Sequence, residues 1–406
     1  MAAGELVMDR ERGVVGSVKP WCSGAPILRE LAALCLDAMR TAAIVLLLSS
    51  CFVLAQQPGP DQLFSSAIVA QQYGDYVTAI QDYQKFLKLR PNMVEARANL
   101  GAALAHEGRF DEAIVEYRRA LSSAPGNKEI QMNMGLAYYK KGDLANAQVV
   151  FEEVHKAMPS NVQIAILLGD SEVRLGQAAA AATMLMPMET ANAANPDFEY
   201  VLGTAMIQSG GRREGVARLE KVAESTHNAD AYLLAGSTLL DLNDFAHAKA
   251  DLEQALSLNP NLPRIYSLTG MARDLTGDAT AAEPAFREAL KRDPDDFNAN
   301  MYLGAILYKR RQMEESRTYL DRALKLNPGS ATARYEMAMW KSTSGQYADA
   351  AKDLEELVKT NPDWLQPHIE LANVYYRLHR PADGAKERAI VAKLNEDQQS
   401  QGPPKP

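Results

Sequence analysis

The chain is 406 residues long, 47% hydrophobic and 23% charged, with 43 Lys and Arg against 51 Asp and Glu for a formal net charge of -8. That balance is ordinary for a soluble globular protein and excludes a disordered, collagen-like or polytopic membrane chain. It also argues against nucleic acid as a partner, because phosphate binding needs Lys and Arg gathered on one face, and no such stripe is visible.

All three cysteines, Cys22, Cys35 and Cys51, lie in the first 51 residues. The chain beyond Cys51 can form neither a disulfide nor a thiolate metal site. Residues 1–38 carry no sustained pattern, and the character changes at Met39. Met39-Arg40 supplies a positive end, Thr41 to Ala55 is almost wholly apolar, and Gln56-Gln57-Pro58 comes next. A basic start, an apolar stretch and a small residue before a polar break make residues 39–55 a secretory signal peptide. The stretch is shorter than the roughly 18 residues that a membrane span needs. The cut falls after Ala55, or else before Cys51, where Leu48-Ser49-Ser50-Cys51 resembles the bacterial lipoprotein box and Cys51 would carry the lipid. An uncleaved anchor is the third reading. Residues 1–38 then read as an artefactual extension before a true start at Met39. The expected location is the periplasm or cell envelope, with a membrane contacted only through a lipid anchor or uncleaved leader.

Beyond the leader the prolines keep time. Pro91, Pro125 and Pro159 are 34 residues apart, as are Pro260, Pro294, Pro328 and Pro362. The 101 residues between Pro159 and Pro260 are one short of three such periods. Ten residues after each proline, or its expected place, stand Gly101, Gly135, Gly169, Gly203, Gly236, Gly270, Gly304, Ala338 and Ala372. Twelve further on stand Ala113, Ala147, Ala181, Gly215, Ala248, Ala282, Ser316, Ala350 and Gly384. Small residues at two fixed points per period are what two helices need where their backbones approach, and the proline ends the second helix. Apolar residues recur at three and four positions, as in Ala113-Ile114-Tyr117-Ala120-Leu121, which is a helical stripe. Between the two helices falls a turn containing Gly108, Gly142, Gly176, Gly210, Gly277 or Gly345. Asp111, Asp143, Asp244 and Asp278 lie at or near it as capping candidates.

This pattern resembles the tetratricopeptide repeat family, whose 34-residue unit has a Leu-Gly, an aromatic three beyond the glycine, an Ala followed four later by Phe, and a closing Pro. The matching residues are Leu100-Gly101, Met134-Gly135 with Tyr138, Leu303-Gly304 and Leu371-Ala372 with Tyr375. In the second helix they are Ala79 with Tyr83, Ala113 with Tyr117, Ala147 with Phe151 and Ala282 with Phe286. The family's early tryptophan is replaced by Arg97, Gln131, Ala165, Tyr232, Tyr266 or Arg334. The resemblance implies an all-α fold, an α-solenoid forming a right-handed superhelix of helix-turn-helix hairpins. Repeats 1–4 would occupy residues 60–195, repeats 5–10 residues 196–395, and a disordered tail residues 396–406. Pro187, set where the fourth unit's second helix should finish, predicts a bend or break near 187–196, read either as a hinge or as a locally degenerate repeat.

Catalytic and cofactor chemistry finds no support. Gly169-Asp170-Ser171 falls mid-helix, without the sharp turn that exposes a serine nucleophile. The six histidines are scattered with no pair at metal-binding spacing. Gly210-Gly211-Arg212-Arg213 sits in an inter-helix turn, without the strand that a phosphate loop requires. No cofactor is expected.

The resemblance implies instead that first helices line a concave face whose side chains hold a peptide. Transferring the family's groove positions by the 34-residue register gives Phe64 and Asn99, then Met132, Asn133, Leu136 and Tyr139, and next Tyr200 and Met271. Met301, Tyr308, Tyr335, Met339, Asn373 and Tyr376 complete the set. The family's carboxylate clamp is not expected, since Ala98, Ala102, Met132, Leu136, Ile166 and Asp170 fill its positions. Some of the aromatics would instead pack between neighbouring repeats. The implied function is a non-enzymatic scaffold of the bacterial cell envelope that binds a protein or peptide in this groove. The alternatives are a periplasmic chaperone or assembly factor for secretion, pilus or outer-membrane components, and an enzyme accessory subunit.

Overall fold

Each period contains two helical stretches, 11 to 15 residues long except for second helices of 8 and 20 residues in the fourth and last units, separated by a residue that can take a left-handed backbone, and it folds as a helical hairpin. The computed structural model describes residues 58–400. The leader, with the cut after Ala55 and the alternative lipid site Cys51, lies outside the described residues, as do residues 401–406. Among the described residues the chain forms ten consecutive hairpins. The first pairs α1 (Pro60–Gln72) with α2 (Tyr76–Leu89). Next come α3 (Val94–His106) with α4 (Phe110–Ser123), and α5 (Lys128–Lys141) with α6 (Leu144–Ala157). The fourth is α7 (Val162–Arg174) with α8 (Ala178–Leu185), trailed by a 3-10 turn (Met186–Met188) and the one-turn α9 (Glu189–Asn192). The next three are α10 (Pro196–Ser209) with α11 (Arg212–Thr226), α12 (Ala229–Asp241) with α13 (Phe245–Leu258), and α14 (Ile265–Leu275) with α15 (Ala279–Arg292). The last three hairpins are α16 (Phe297–Lys309) with α17 (Met313–Leu326), α18 (Ala331–Thr343) with α19 (Tyr347–Thr360), and α20 (Leu365–Arg377) with α21 (Pro381–Ser400). The final helix runs past Asn395, where the tail was expected to begin.

The described residues divide into two compact units, with the boundary between Ala96 and Arg97. In the first, Tyr83 and Phe86 are buried, and the Phe64 ring lies 6.0 Å and 5.1 Å from theirs. The Ser66 hydroxyl donates to Asp82 Oδ2 at 2.8 Å.

In the second unit the registered glycines do what their spacing implies. A Cβ on Gly135 would stand 2.5 Å from Cε1 of Phe151, and one on Gly101 or Gly270 would stand 2.7 Å from the rings of Tyr117 or Phe286. Each ring therefore lies flat on the opposite helix, and all three are buried. Successive first helices also touch, α12 with α14, α14 with α16, α16 with α18 and α18 with α20, while each second helix packs on the first helices to either side. First helices thus line the closer-packed side of this solenoid.

The turns hold one left-handed residue each. Seven are glycines, such as Gly142 (φ 86°), and three are Asn243, Arg311 and His379. The capping candidates divide. Asp143 and Asp278 accept the backbone N–H three residues on. Asp244 instead turns its carboxylate to His247 Nδ1 at 2.8 Å. Asp111 sits in the first turn of α4 and accepts from Lys141 Nζ. The first helices are capped too, by Asn127, Asn161, Asn195, Asn228, Asp296 and Ser330. The break expected near 187–196 is present: α8 stops at Leu185, and Pro187 lies in the 3-10 turn, where its missing N–H costs no long-helix bond.

Candidate functional site

The register sets which way a first-helix side chain points, and the packing of the next first helix decides whether it stays open. Phe64 is spent on the interior of its own hairpin, against Tyr83 and Phe86. Met301 and Tyr308 were expected to face a groove, and they are buried, with 5% and 4% of their surface exposed. Met301 packs on Ala323 and Ala333, so it seals the joint between the eighth and ninth hairpins. Tyr308 packs with Leu320, Met337 and Trp340 and donates its hydroxyl to Glu336 Oε2 at 2.8 Å. Burial and the Glu336 charge push its phenol pKa up, so it stays protonated. Met339 lies partly buried against the same cluster. Tyr335 tilts its ring onto Trp364 at 5.1 Å, and burial raises its pKa to about 12. These residues join hairpins.

Others remain partly accessible. Asn99, Met132, Asn133 and Leu136 are half-buried on α3 and α5. Tyr139 donates its hydroxyl to Asp170 Oδ2 at 2.5 Å, and the guanidinium of Arg174 lies 5.3 Å from its ring centre. Burial first, and then the Asp170 carboxylate, raises the Tyr139 pKa.

Two clefts gather the rest. The first, of about 530 Å³, opens across α10, α12 and α14. Its walls carry Tyr200, Leu233, Leu240 and Met271, with Asp230 and Arg264 among the polar groups at its margin. Tyr200 is half-buried, and its pKa is raised by burial and by the nearby Asp230 and Asp170 charges. Asp274 on α14 is also raised by burial, against the pull of Lys309. The second cleft, of about 490 Å³, lies between the turn after α16 and the last two hairpins, and it brings Asn373 and Tyr376 together with Arg311, Arg377 and Arg388. There the Arg388 guanidinium sits 4.5 Å from the Tyr376 ring centre, and Ser342 Oγ donates to Glu370 Oε1 at 2.6 Å. The absence of a side chain at Gly384 makes room for the Tyr376 ring, since a Cβ there would meet it at 2.8 Å.

Two of the expected residues thus share one cleft and two share another, while Met301 and Tyr308 are enclosed between hairpins. The register does not mark the arginines, because a turn, a first-helix end and a second helix share no position in the period. One signal was present: Arg311 stands 34 residues after Gly277, where the register calls for the turn glycine. Among the described residues no group of three or more His, Cys, Asp or Glu is arranged to hold a metal ion.

A family model described as tetratricopeptide repeat matches residues 65–128, 132–185, 233–296 and 269–331, together more than half of the chain. The chain is 27% identical over 146 residues to cellulose synthase operon protein C of Xanthomonas axonopodis pv. citri, covering 34% of this chain and 10% of that protein. It is 30% identical over 95 residues to the TPR repeat-containing thioredoxin TTL4 of Arabidopsis thaliana (23% and 14% covered). It is 28% identical over 110 residues to the probable biofilm formation methyltransferase WspC of Pseudomonas putida (27% and 26% covered). The chain therefore spans only 10 to 26% of the length of these relatives. Among solved structures it is similar to a tetratricopeptide repeat protein from Parabacteroides merdae, with TM-score 0.47 and 17% identity over 61% of this chain and 98% of that one. It is also similar to the APC/C hetero-tetramer Cut9-Hcn1, with TM-score 0.47 and 13% identity over 89% and 92%. The ten registered hairpins and the family match over most of their length give one conclusion: the chain belongs to the tetratricopeptide repeat family.

Proposed function

We propose that the protein is a non-enzymatic interaction scaffold of the bacterial cell envelope that holds a polypeptide segment against its first helices. The observation that carries this reading is the cleft across α10, α12 and α14. There the Tyr200 ring, the adaptable Met271 side chain and the aliphatic surface of Leu233 and Leu234 stand partly open beside a few charges. An aromatic ring and a flexible thioether bury apolar partner side chains at low entropic cost and accept more than one shape. The place in the envelope is supported by the apolar stretch from Thr41 to Ala55 directly after Met39-Arg40.

Crosslinking with mass spectrometry in the native envelope, run on the wild type and on Tyr200→Ala/Met271→Ala, tests the binding face. The expected result is crosslinks from a polypeptide partner to α10, α12 and α14, and capture weakened by about tenfold in the variant at a temperature where circular dichroism shows it fully folded. Unchanged capture, or crosslinks confined to second helices, would count against the face. N-terminal sequencing of the mature chain tests the location: a chain found whole in the cytosol removes the envelope from the proposal.

A further inference from the structure

Three arginines line one cleft at the C-terminal end of the array, each exposed and without an ion-pair partner among the described residues. Arg311 lies in the turn between α16 and α17, Arg377 ends α20, and Arg388 is on α21, and all three line the cleft of about 490 Å³. None of them forms an ion pair among the described residues. Their sequence neighbours do: Arg310 pairs with Glu283, and Arg380 with Asp383 at 2.9 Å. The protein has acid to spare, with 51 Asp and Glu. The one carboxylate in the cleft wall, Glu370, accepts from the Ser342 hydroxyl and pairs with none of the three arginines.

All three are exposed, so solvent screens them, but three like charges around one cleft still raise its positive potential and favour an anion entering between them. A guanidinium presents two parallel N–H donors matched to a carboxylate, and the Tyr376 ring under Arg388 keeps that side chain in place. Arg311 also holds a left-handed backbone (φ 65°) at a turn that most hairpins give to glycine.

The rest of the wall indicates what the anion belongs to. Asn373 is exposed and makes no side-chain hydrogen bond among the described residues, so its amide can pair with a peptide group. Tyr376, 36% exposed, offers apolar surface beside it. A small free anion would use the arginines and leave both idle.

We propose that this cleft binds the acidic side chains of an extended polypeptide segment, with two carboxylates of that segment reaching the arginines. The proposal rests on the reading of the first-helix face as polypeptide-binding, and it adds a charge preference at one end of that face. The other cleft, with Asp230 and Asp241 beside Arg264, does not share it.

The test is fluorescence anisotropy of the full chain with a short labelled peptide alternating Glu and Gly. The peptide is amidated so that its only carboxylates are side chains, and it is compared with Gln and Lys counterparts. The Glu peptide is expected to bind at least about tenfold more tightly than either, to weaken with salt, and to lose about tenfold or more in Arg377→Gln/Arg388→Gln. Arg377→Lys/Arg388→Lys should keep part of the affinity, because charge survives but the fork is lost. Equal affinity for Glu and Gln peptides, or an unchanged double variant with an unchanged melting curve, overturns the proposal. So does displacement of the peptide by inorganic phosphate at concentrations where excess unlabelled Glu peptide does not compete, since the site would then be one for small anions. Tyr200→Ala/Met271→Ala should leave Glu-peptide binding intact. If those substitutions abolish native partner capture while the Glu peptide fails to bind wild type, this cleft alone is refuted. If both experiments fail, so does the scaffold reading.

Discussion

Tyr308 and Glu336, on the first helices of consecutive hairpins, are joined by a 2.8 Å hydrogen bond from phenol to carboxylate in a joint where Tyr308 is buried. Burial pushes the Glu336 pKa up, and the Tyr308 hydrogen bond and Lys309 pull it down. Tyr308→Phe keeps the ring and removes the donor. It should cost about 1–2 kcal/mol in urea unfolding, the penalty of leaving a desolvated carboxylate without its partner. It should also raise the Glu336 pKa further, which carboxylate-resolved NMR titration reads. An unshifted midpoint and an unshifted Glu336 would show that the bond contributes nothing to the joint.

Two buried carboxyls make stability depend on pH. Asp251 is 8% and Glu172 6% exposed, each with one oxygen that has no hydrogen-bond partner. Burial, reinforced by Glu220 for Asp251 and by Glu152 for Glu172, raises each pKa to about 7. Both values lie above the unfolded ones, so the folded chain binds more protons between about pH 4 and about pH 7. The stabilisation is therefore complete on the acid side of that window and is lost as pH rises through about 7. Thermal melts should show a higher transition at about pH 5.5 than at about pH 8. Asp251→Asn and Glu172→Gln should flatten that dependence and raise the transition at the higher pH.

Among the described glycines, Gly215 comes nearest to another stretch of backbone. A Cβ there would stand 2.6 Å from the Gly203 carbonyl oxygen and 3.0 Å from the Ile207 nitrogen, main-chain atoms that cannot rotate aside. Gly215→Ala should therefore cost about 1–3 kcal/mol, the range for overpacking. Gly126→Ala, where nothing lies within 4 Å, should change stability by less than about 0.5 kcal/mol. Equal urea midpoints for the two variants would refute the close crossing.

The same contrast shows why much of the fold was legible in the sequence and much of the site was not. The small pair Gly203 and Gly215 and the ring of Phe151 sixteen residues beyond Gly135 repeat with the period, so spacing alone exposes them. Met301 and Tyr308 have the angular position of groove residues, but α18 crosses close to α16 and covers them, and a crossing distance is not written in a register. Asp111 and Asp244 show the limit for local chemistry, since a capping residue two positions out of place, or one offered a better partner, does not cap. The cleft of Arg311, Arg377 and Arg388 unites a turn, a helix end and a second helix that share no periodic position. Only the departure from glycine at residue 311 marks it in the sequence.

The interrupted fourth hairpin is tied to the fifth by one guanidinium. Arg218 on α11 donates to Glu189 Oε1 on α9 at 2.6 Å and to Glu199 Oε2 on α10 at 2.8 Å, and Glu199 is 4% exposed. Removing the arginine strands a buried carboxylate, so Arg218→Ala should cost about 3–5 kcal/mol. The pair is not optimal, however, since Arg218 Nε and Glu199 Oε1 are buried without partners. Replacing both residues with apolar side chains of similar size removes the desolvation penalty together with the attraction. Arg218→Met/Glu199→Met should therefore recover most of the loss in a double-mutant cycle monitored by urea unfolding. Glu189 loses its partner in both variants, so proteolysis between Met186 and Asn195 should accelerate in both. A double variant as unstable as Arg218→Ala would show that the guanidinium holds α9 to α11 chiefly through Glu189, and that Glu199 is a bystander.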